Sequence, residues 1–222
     1  MRVLVFGATG MIGQGVLRAA LMDPGVEFVQ TVGRTPTGVE HKKLRGLVHR
    51  DLLRLEPIEP ELRGFDTCFF CLGVSSAGLS EPEYKVVTYD IAMAVAETLC
   101  RLNPNMTFVF VSGVGTDSTE HGRMMWARVK GATEKALMRL PFRASYMFRP
   151  GFIQPVDGAR SKTALYRFVY TALTPLMPLL RWMFPAYVLT TNEIGLAMLR
   201  VARLGYPRRI LETKDIRALL TT

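Results

Sequence analysis

Near the amino terminus, GATGMIG sets Gly7, Gly10 and Gly13 at intervals of three, between a short apolar run and a segment of helical periodicity. Glycines at a strand-to-helix turn let the backbone come close to a pyrophosphate, and the open N–H groups at the start of the helix face its charge. The last glycine lets the helix pack on the strand. The intervening Thr9, Met11 and Ile12 fall in the same expected set of cofactor contacts. At the end of the second strand an NAD site often places an acid against the ribose 2′-hydroxyl, but here the chain offers Gly33 and then Arg34. Arginine suits a 2′-phosphate, so NADP(H) is expected in preference to NAD(H).

A second chemical cluster is MMWARVK, in which Trp126 and Lys130 are four residues apart and share one face of a helix. A tyrosine at the first position would make a proton-transferring pair with the lysine. An indole N–H donates a hydrogen bond but does not exchange a proton near neutral pH. His121, five residues earlier in a loop, is the nearby residue type that does exchange protons in that range. Cys68 and Cys71 form a C-x-x-C, yet TCFFCLG reads as a buried strand and no second ligand pair follows, so Cys68, Cys71 and Cys100 read as core thiols and no metal site is expected.

These residues need elements to hold them. RVLVF is a strand, MIGQGVLRAALM a helix, and VEFVQTVGR a second strand, with GLVHRD a short third. FDTCFFCLG is another buried strand, and helical periodicity runs from Pro82 to Leu102 until Asn103, Pro104 and Asn105 break it. MTFVFVSGVG, MMWARVKGATEKALMRL and RASYMFRPG then read as strand, helix and strand. TTNEIGLAMLRVARLG is a capped helix that ends on glycine, and RRILETKDIRALL predicts a late strand and short helix. Strands alternating with helices imply a parallel sheet covered on both faces, an α/β fold. The 222 residues, about half of them apolar, suit one such unit.

Residues 1–119 carry 11 basic and 13 acidic groups, whereas residues 120–222 carry 17 and 6. The basic residues are mostly isolated arginines and no DNA-binding motif appears, so nucleic acid is not an expected partner. The amino terminus lacks a secretory apolar core, which predicts a cytoplasmic protein. The apolar segment 164–189 is interrupted by Pro175, Pro178, Pro185, Arg167 and Arg181, so it predicts no transmembrane helix. It reads as a lid packed over the sheet, with a homodimer interface or a peripheral membrane contact as the other reading.

With GATGMIG at the start, HRDL at 49–52, FCLG at 70–73, FVSGVG at 110–115, WARVKG at 126–131 and RPG at 149–151, the chain resembles the short-chain dehydrogenase/reductase superfamily. It is most similar to the atypical branch related to nucleotide-sugar epimerases and Tat-interacting-protein-type oxidoreductases. The resemblance implies a single NAD(P)-binding Rossmann domain over 1–222, a doubly wound parallel sheet in which 152–222 contributes a small carboxyl-terminal substrate-side lobe. It implies that Asp51 and Leu52 flank the adenine and that Cys71, Leu72 and Gly73 pass along the cofactor ribose. Ser112 matches the serine that binds a substrate carbonyl, and Lys130 the lysine that holds the nicotinamide ribose. Trp126 stands at the place of the family's catalytic tyrosine, and no other tyrosine in the chain has a lysine four residues later.

Two functions follow from that departure. In one, the protein is an NADP(H)-dependent oxidoreductase of a small carbonyl or quinone substrate, with its proton supplied by His121, Ser112 or a water held by Lys130. In the other, it binds NADP(H) without efficient turnover and acts as a cofactor-sensing regulatory or binding protein.

Overall fold

The computed structural model describes residues 1–156 and 188–221. The segment 164–189, except for its last two residues, therefore lies outside the described residues.

β1 (Arg2–Phe6) enters the turn of Gly7–Gly10 and continues into α1 (Met11–Met22). β2 (Phe28–Gly33) and β3 (Leu44–Val48) follow, and a 3-10 helix over Glu56–Leu62 leads to β4 (Thr67–Phe70). The long helical segment is not uniform: α2 (Glu81–Lys85) passes through a π-turn at Val86–Asp90 into α3 (Ile91–Leu102). Next come β5 (Thr107–Val111), α4 (Met125–Arg139), β6 (Ala144–Arg149) and β7 (Phe152–Gln154). The described chain resumes with β8 (Val188–Thr190), α5 (Thr191–Leu204), β9 (Ile210–Glu212) and α6 (Thr213–Ala218).

Seven strands form one sheet in the order β3-β2-β1-β4-β5-β6-β9, every pair parallel. β7 and β8 make a separate parallel pair in which Phe152 faces Val188. The main sheet is a doubly wound Rossmann arrangement. The chain moves outward from β1 to β3, returns across β1, and then adds β4, β5, β6 and β9 on the other side, which opens a crevice at the carboxyl ends of β1 and β4.

Side chains alternate along the strands, and the alternation divides the core into two layers. Val3 and Val5 face the layer of α1 and α5, with Val16, Ala20, Ile194 and Met198. Leu4 and Phe6 face the other, with Val95, Leu99 and Leu137. In that second layer Phe6 and Phe70 stack at 5.9 Å, and Phe110 lies 5.8 Å from Phe70. Cys68 packs in one layer and Cys71 against the other, because an odd separation along extended chain reverses the face. Both thiols are free, and burial pushes Cys68 well up and Cys71 to about 12.

The last elements join the main body. β9 pairs with β6 at the sheet edge, and α5 crosses α1 where a Cβ on Gly15 would lie 2.4 Å from the Thr191 carbonyl oxygen. α5 begins with a capping box in which Thr190 and Glu193 exchange hydrogen bonds. Among the described residues no helix is long and apolar enough to cross a membrane.

Candidate functional site at the β1–β4 crevice

A cavity of about 520 Å³ opens at the crevice, lined by the turn after β1 (Gly7 to Gly10), the end of β2, and the chain leaving β4. Gly7 has φ +79, and a Cβ there would sit 2.6 Å from the Leu72 nitrogen. A Cβ on Gly13 would reach within 2.1 Å of the Gly7 carbonyl oxygen. Neither position has room for a side chain. Gly10 caps α1 with ordinary φ of −79, its N–H donates to Gly7, and its Cβ would meet nothing nearer than 3.2 Å. Gly7 and Gly13 thus shape the turn, while Gly10 presents bare backbone to the cleft.

The end of β2 supplies Thr31, Val32, Gly33, Arg34, Thr35 and Thr37 to the lining. Arg34 is exposed at the rim and has no ion pair among the described residues. No acid stands between Gly33 and Glu40. Across the crevice, Cys71, Leu72 and Gly73 line the wall, and Val74 and Ser75 extend it. Leu52 forms part of the floor, whereas the Asp51 carboxylate is turned to the Leu53 N–H at 3.1 Å, away from the lining. Thr9 lines the cavity, but Met11 and Ile12 pack toward the core instead. A pyrophosphate-bearing dinucleotide fits this wall: bare backbone at a helix start, small residues where a chain must pass, and a cation at one end.

Ser112, Trp126 and Lys130 gather beyond that wall, where β5 ends and α4 begins. The Ser112 hydroxyl, buried, lies 2.5 Å from a Glu134 carboxylate oxygen and 3.1 Å from the Phe148 carbonyl, so its one proton is shared between protein acceptors. The Lys130 ammonium donates to the Ser112 carbonyl. Burial brings the Lys130 pKa down to about 8, opposed by the nearby Glu134 charge. Glu134 in turn holds Arg149 through both oxygens, the shortest contact being 2.5 Å, and Arg149 also reaches Ser118 at 2.6 Å and Glu212 at 3.3 Å. Glu134 and Arg149 are 1% and 8% exposed, so this network is part of the interior that ties α4 to β6 and β9.

Sequence reasoning missed Glu134 and Arg149 as site-forming residues. Glu134 follows Lys130 by four residues, so the helical spacing that pairs Trp126 with Lys130 extends to it. Trp126 lies in the first turn of α4, its ring edge over Gly115, where a Cβ would stand 3.3 Å away. The indole has no hydrogen-bond partner among the described residues. His121 is exposed in the loop before α4 and lines no described part of the cavity; its backbone N–H points to Thr119 at 3.4 Å. Asp117 organises that loop by accepting from the Thr119 hydroxyl and from the N–H groups of Gly122 and Thr119, which hold its carboxyl at about 2.

The sequence profile of the NAD dependent epimerase/dehydratase family matches residues 3–122, more than half of the chain. The chain belongs to that family. It is an NAD(P)-binding protein of the short-chain dehydrogenase/reductase type, with the atypical, epimerase-like character that its motifs resemble. Over 205 residues it is 26% identical to protein FMP52, mitochondrial, of Debaryomyces hansenii, covering 91% of this chain and 88% of that protein. In fold it is similar to the Bordetella bronchiseptica enzyme WbmF in complex with NAD+, with a TM-score of 0.70 at 13% identity over 98% of this chain and 76% of that one. It is also similar to the short-chain dehydrogenase/reductase YIR035C of Saccharomyces cerevisiae, with a TM-score of 0.66 at 16% identity over 99% and 98% of the two chains. The family relatives from Debaryomyces hansenii, Scheffersomyces stipitis and Emericella nidulans are all named mitochondrial. That overturns the cytoplasmic location expected from the amino terminus, because the lack of a secretory core excludes only one kind of targeting.

Proposed function

We propose that the protein binds NADP(H) in the β1–β4 crevice and transfers hydride between that cofactor and a small carbonyl or quinone substrate. The observation that carries the reading is the glycine wall with Arg34 at its rim and no acid at the end of β2. In this reading the N–H groups around Gly10 hold the pyrophosphate, Arg34 meets the 2′-phosphate, and Cys71 to Gly73 pass along the ribose. Lys130 holds the nicotinamide ribose. The cofactor supplies hydride chemistry when bound; the protein's part is to bind, orient and exclude water. The substrate carbonyl is placed near the end of β5, beside Trp126.

The second reading, an NADP(H)-sensing protein without turnover, is favoured by one observation: the expected tyrosine is an indole, and the Ser112 hydroxyl is already engaged by Glu134. Absorbance at the nicotinamide band separates the two. Oxidation of NADPH by any aldehyde, ketone or quinone in a panel supports the oxidoreductase, and tight NADPH binding without oxidation by any of them supports the sensor. Replacing Trp126 by Tyr restores an ionisable hydroxyl four residues before Lys130, and carbonyl reduction is expected to rise by about tenfold or more. Unchanged rates in a folded, NADPH-binding Trp126→Tyr protein contradict the placement of Trp126 in the active site.

A further inference from the structure

A second cavity, of about 570 Å³, lies beside the crevice and shares Ala8, Thr9 and Thr37 with it. One wall is the outward face of α1, and the other is the chain from Thr37 to His41 that follows β2. Helical spacing sets Leu17 and Leu21 on one ridge and Gln14, Arg18 and Met22 on the next. At 1.5 Å per residue the groove runs about 12 Å along the helix from Gln14 to Met22. On the facing wall the alternate residues Thr37, Val39 and His41 line it. Lys43 ties that wall to the end of α1 by donating to the Asp23 carbonyl at 2.7 Å. The volume falls within the range of about 300–1,000 Å³ in which small ligands are held.

The chemistry of this groove is divided along its length. Leu17 and Leu21 are buried and form an apolar floor, while Met22 and Val39, 72% and 46% exposed, stand over it as lips. An alkyl chain laid between floor and lips leaves water on both sides, and each buried methylene then adds about fourfold to affinity. Polar groups sit toward the ends. Near the crevice, Gln14 donates one amide hydrogen to the Thr9 carbonyl at 3.1 Å, which fixes its side chain and leaves the second hydrogen and the Thr37 hydroxyl as donors. Near the other end, His41 accepts the Lys43 N–H on Nδ1 at 3.1 Å, so Nε2 carries the ring proton and donates. Arg18 brings a permanent positive charge to the outer ridge, whatever else its guanidinium meets, and the lining holds no acid. One permanent cation among neutral donors matches a head group of single negative charge, and repels a cationic one.

We propose that this groove binds a free long-chain fatty acid, its alkyl chain between the Leu17–Leu21 floor and the Met22 and Val39 lips, and its carboxylate among Gln14, Arg18 and Thr37. The site is separate from the β1–β4 crevice and stands whether or not the crevice takes NADP(H). Its place beside the shared wall of Ala8, Thr9 and Thr37 puts the ligand next to the cofactor cavity.

The test is titration of the purified protein, without added cofactor, with cis-parinaric acid, whose emission rises when its polyene chain leaves water. Saturable binding at one site per chain is expected, at concentrations below those at which the acid forms micelles. Dodecanoate is expected to displace the probe at least about tenfold better than dodecanol, the worth of a hydrogen bond to a charged group. Arg18→Gln should weaken dodecanoate and leave dodecanol unchanged. Met22→Glu and Val39→Glu place a like charge at exposed lip positions that the fold does not depend on, and each should weaken the probe by at least about tenfold. Val86→Glu, at an exposed apolar position on the π-turn away from the groove, should bind the probe like the wild-type protein. Absence of saturable binding, equal displacement by dodecanol, or equal loss in Val86→Glu and the lip variants overturns the inference. So does sedimentation with vesicles of anionic phospholipid, abolished by Met22→Glu, in a protein that takes up no parinaric acid, since the lips then contact a membrane surface.

Discussion

Arg34 leaves the end of β2 with its guanidinium at the cavity rim, and its role is the most direct residue-level consequence of the account. Replacing it by Glu exchanges a phosphate partner for a repelling charge. NADPH affinity is expected to fall by about tenfold to a hundredfold, the worth of a hydrogen bond to a charged group, and NADH affinity far less. Equal loss for both cofactors in parallel titrations contradicts the preference for NADP. Lys130 gives a second test through pH. Its folded pKa of about 8 lies below the 10.5 of a free lysine, so between these values the unfolded chain binds more protons than the folded one. Stability then rises with pH across that window. Relative to Lys130→Met, the wild-type protein should gain in urea midpoint from pH 8 to pH 10; parallel curves for the two proteins place the Lys130 pKa near its unfolded value.

At the scale of elements, α1 and α4 are fixed by different means, and their substitutions should fail differently. Gly13→Ala forces a Cβ to 2.1 Å from the Gly7 carbonyl and must push α1 off β1, an overpacking cost of about 1–3 kcal/mol. Gly10→Ala brings a Cβ to 3.2 Å from the Gly7 carbonyl, a tight contact that a small backbone adjustment relieves, so it should cost less stability than Gly13→Ala and lose cofactor affinity. Denaturant melts and NADPH titrations on the two variants read this contrast, and equal destabilisation of both contradicts the division of labour. On α4, Glu134→Ala strips Arg149 of its two-oxygen partner and leaves it the longer contact to Glu212, so denaturant melts should show a loss below the about 3–5 kcal/mol of a fully unpaired buried charge. The strands and helices of this frame were legible in the sequence, because buried parallel strands such as TFVFV and capped helices such as TNEIGLAMLRVARL carry strong local signals. The pair β7 and β8 was not, since three residues are too few for periodicity to declare itself. Nor was the π-turn at Val86–Asp90, where the buried Thr88 hydroxyl has no partner among the described residues inside an otherwise helical pattern. The glycine wall was readable from spacing alone, but the Ser112 hydroxyl is held by Glu134 and by the Phe148 carbonyl on another strand, and no local pattern reports that meeting.

For the whole molecule, the sheet order places the reversal between β1 and β4 at the same end as the turn after β1, the rim residue Arg34 and the chain after β4. One cavity therefore draws on three separate crossings, and binding there should stabilise the entire fold. A ligand at a hundred times its Kd adds about 2.7 kcal/mol to the unfolding free energy. NADPH should accordingly raise the Tm more than NADH at equal concentration. The mitochondrial names of the relatives bear on the setting in which that cofactor is met, and the uneven basic charge of residues 120–222 belongs to the same whole-chain picture. Much of that charge is internally engaged: Arg203 pairs with Asp23, Arg209 donates to the Met138 carbonyl and Arg217 to that of Val188. The central claim, an NADP(H) site in the β1–β4 crevice, is tested most directly by calorimetric titration of the wild-type protein with NADPH and with NADH. The account predicts one site per chain and at least about tenfold tighter binding of NADPH; equal or tighter binding of NADH, or no binding of either, contradicts it.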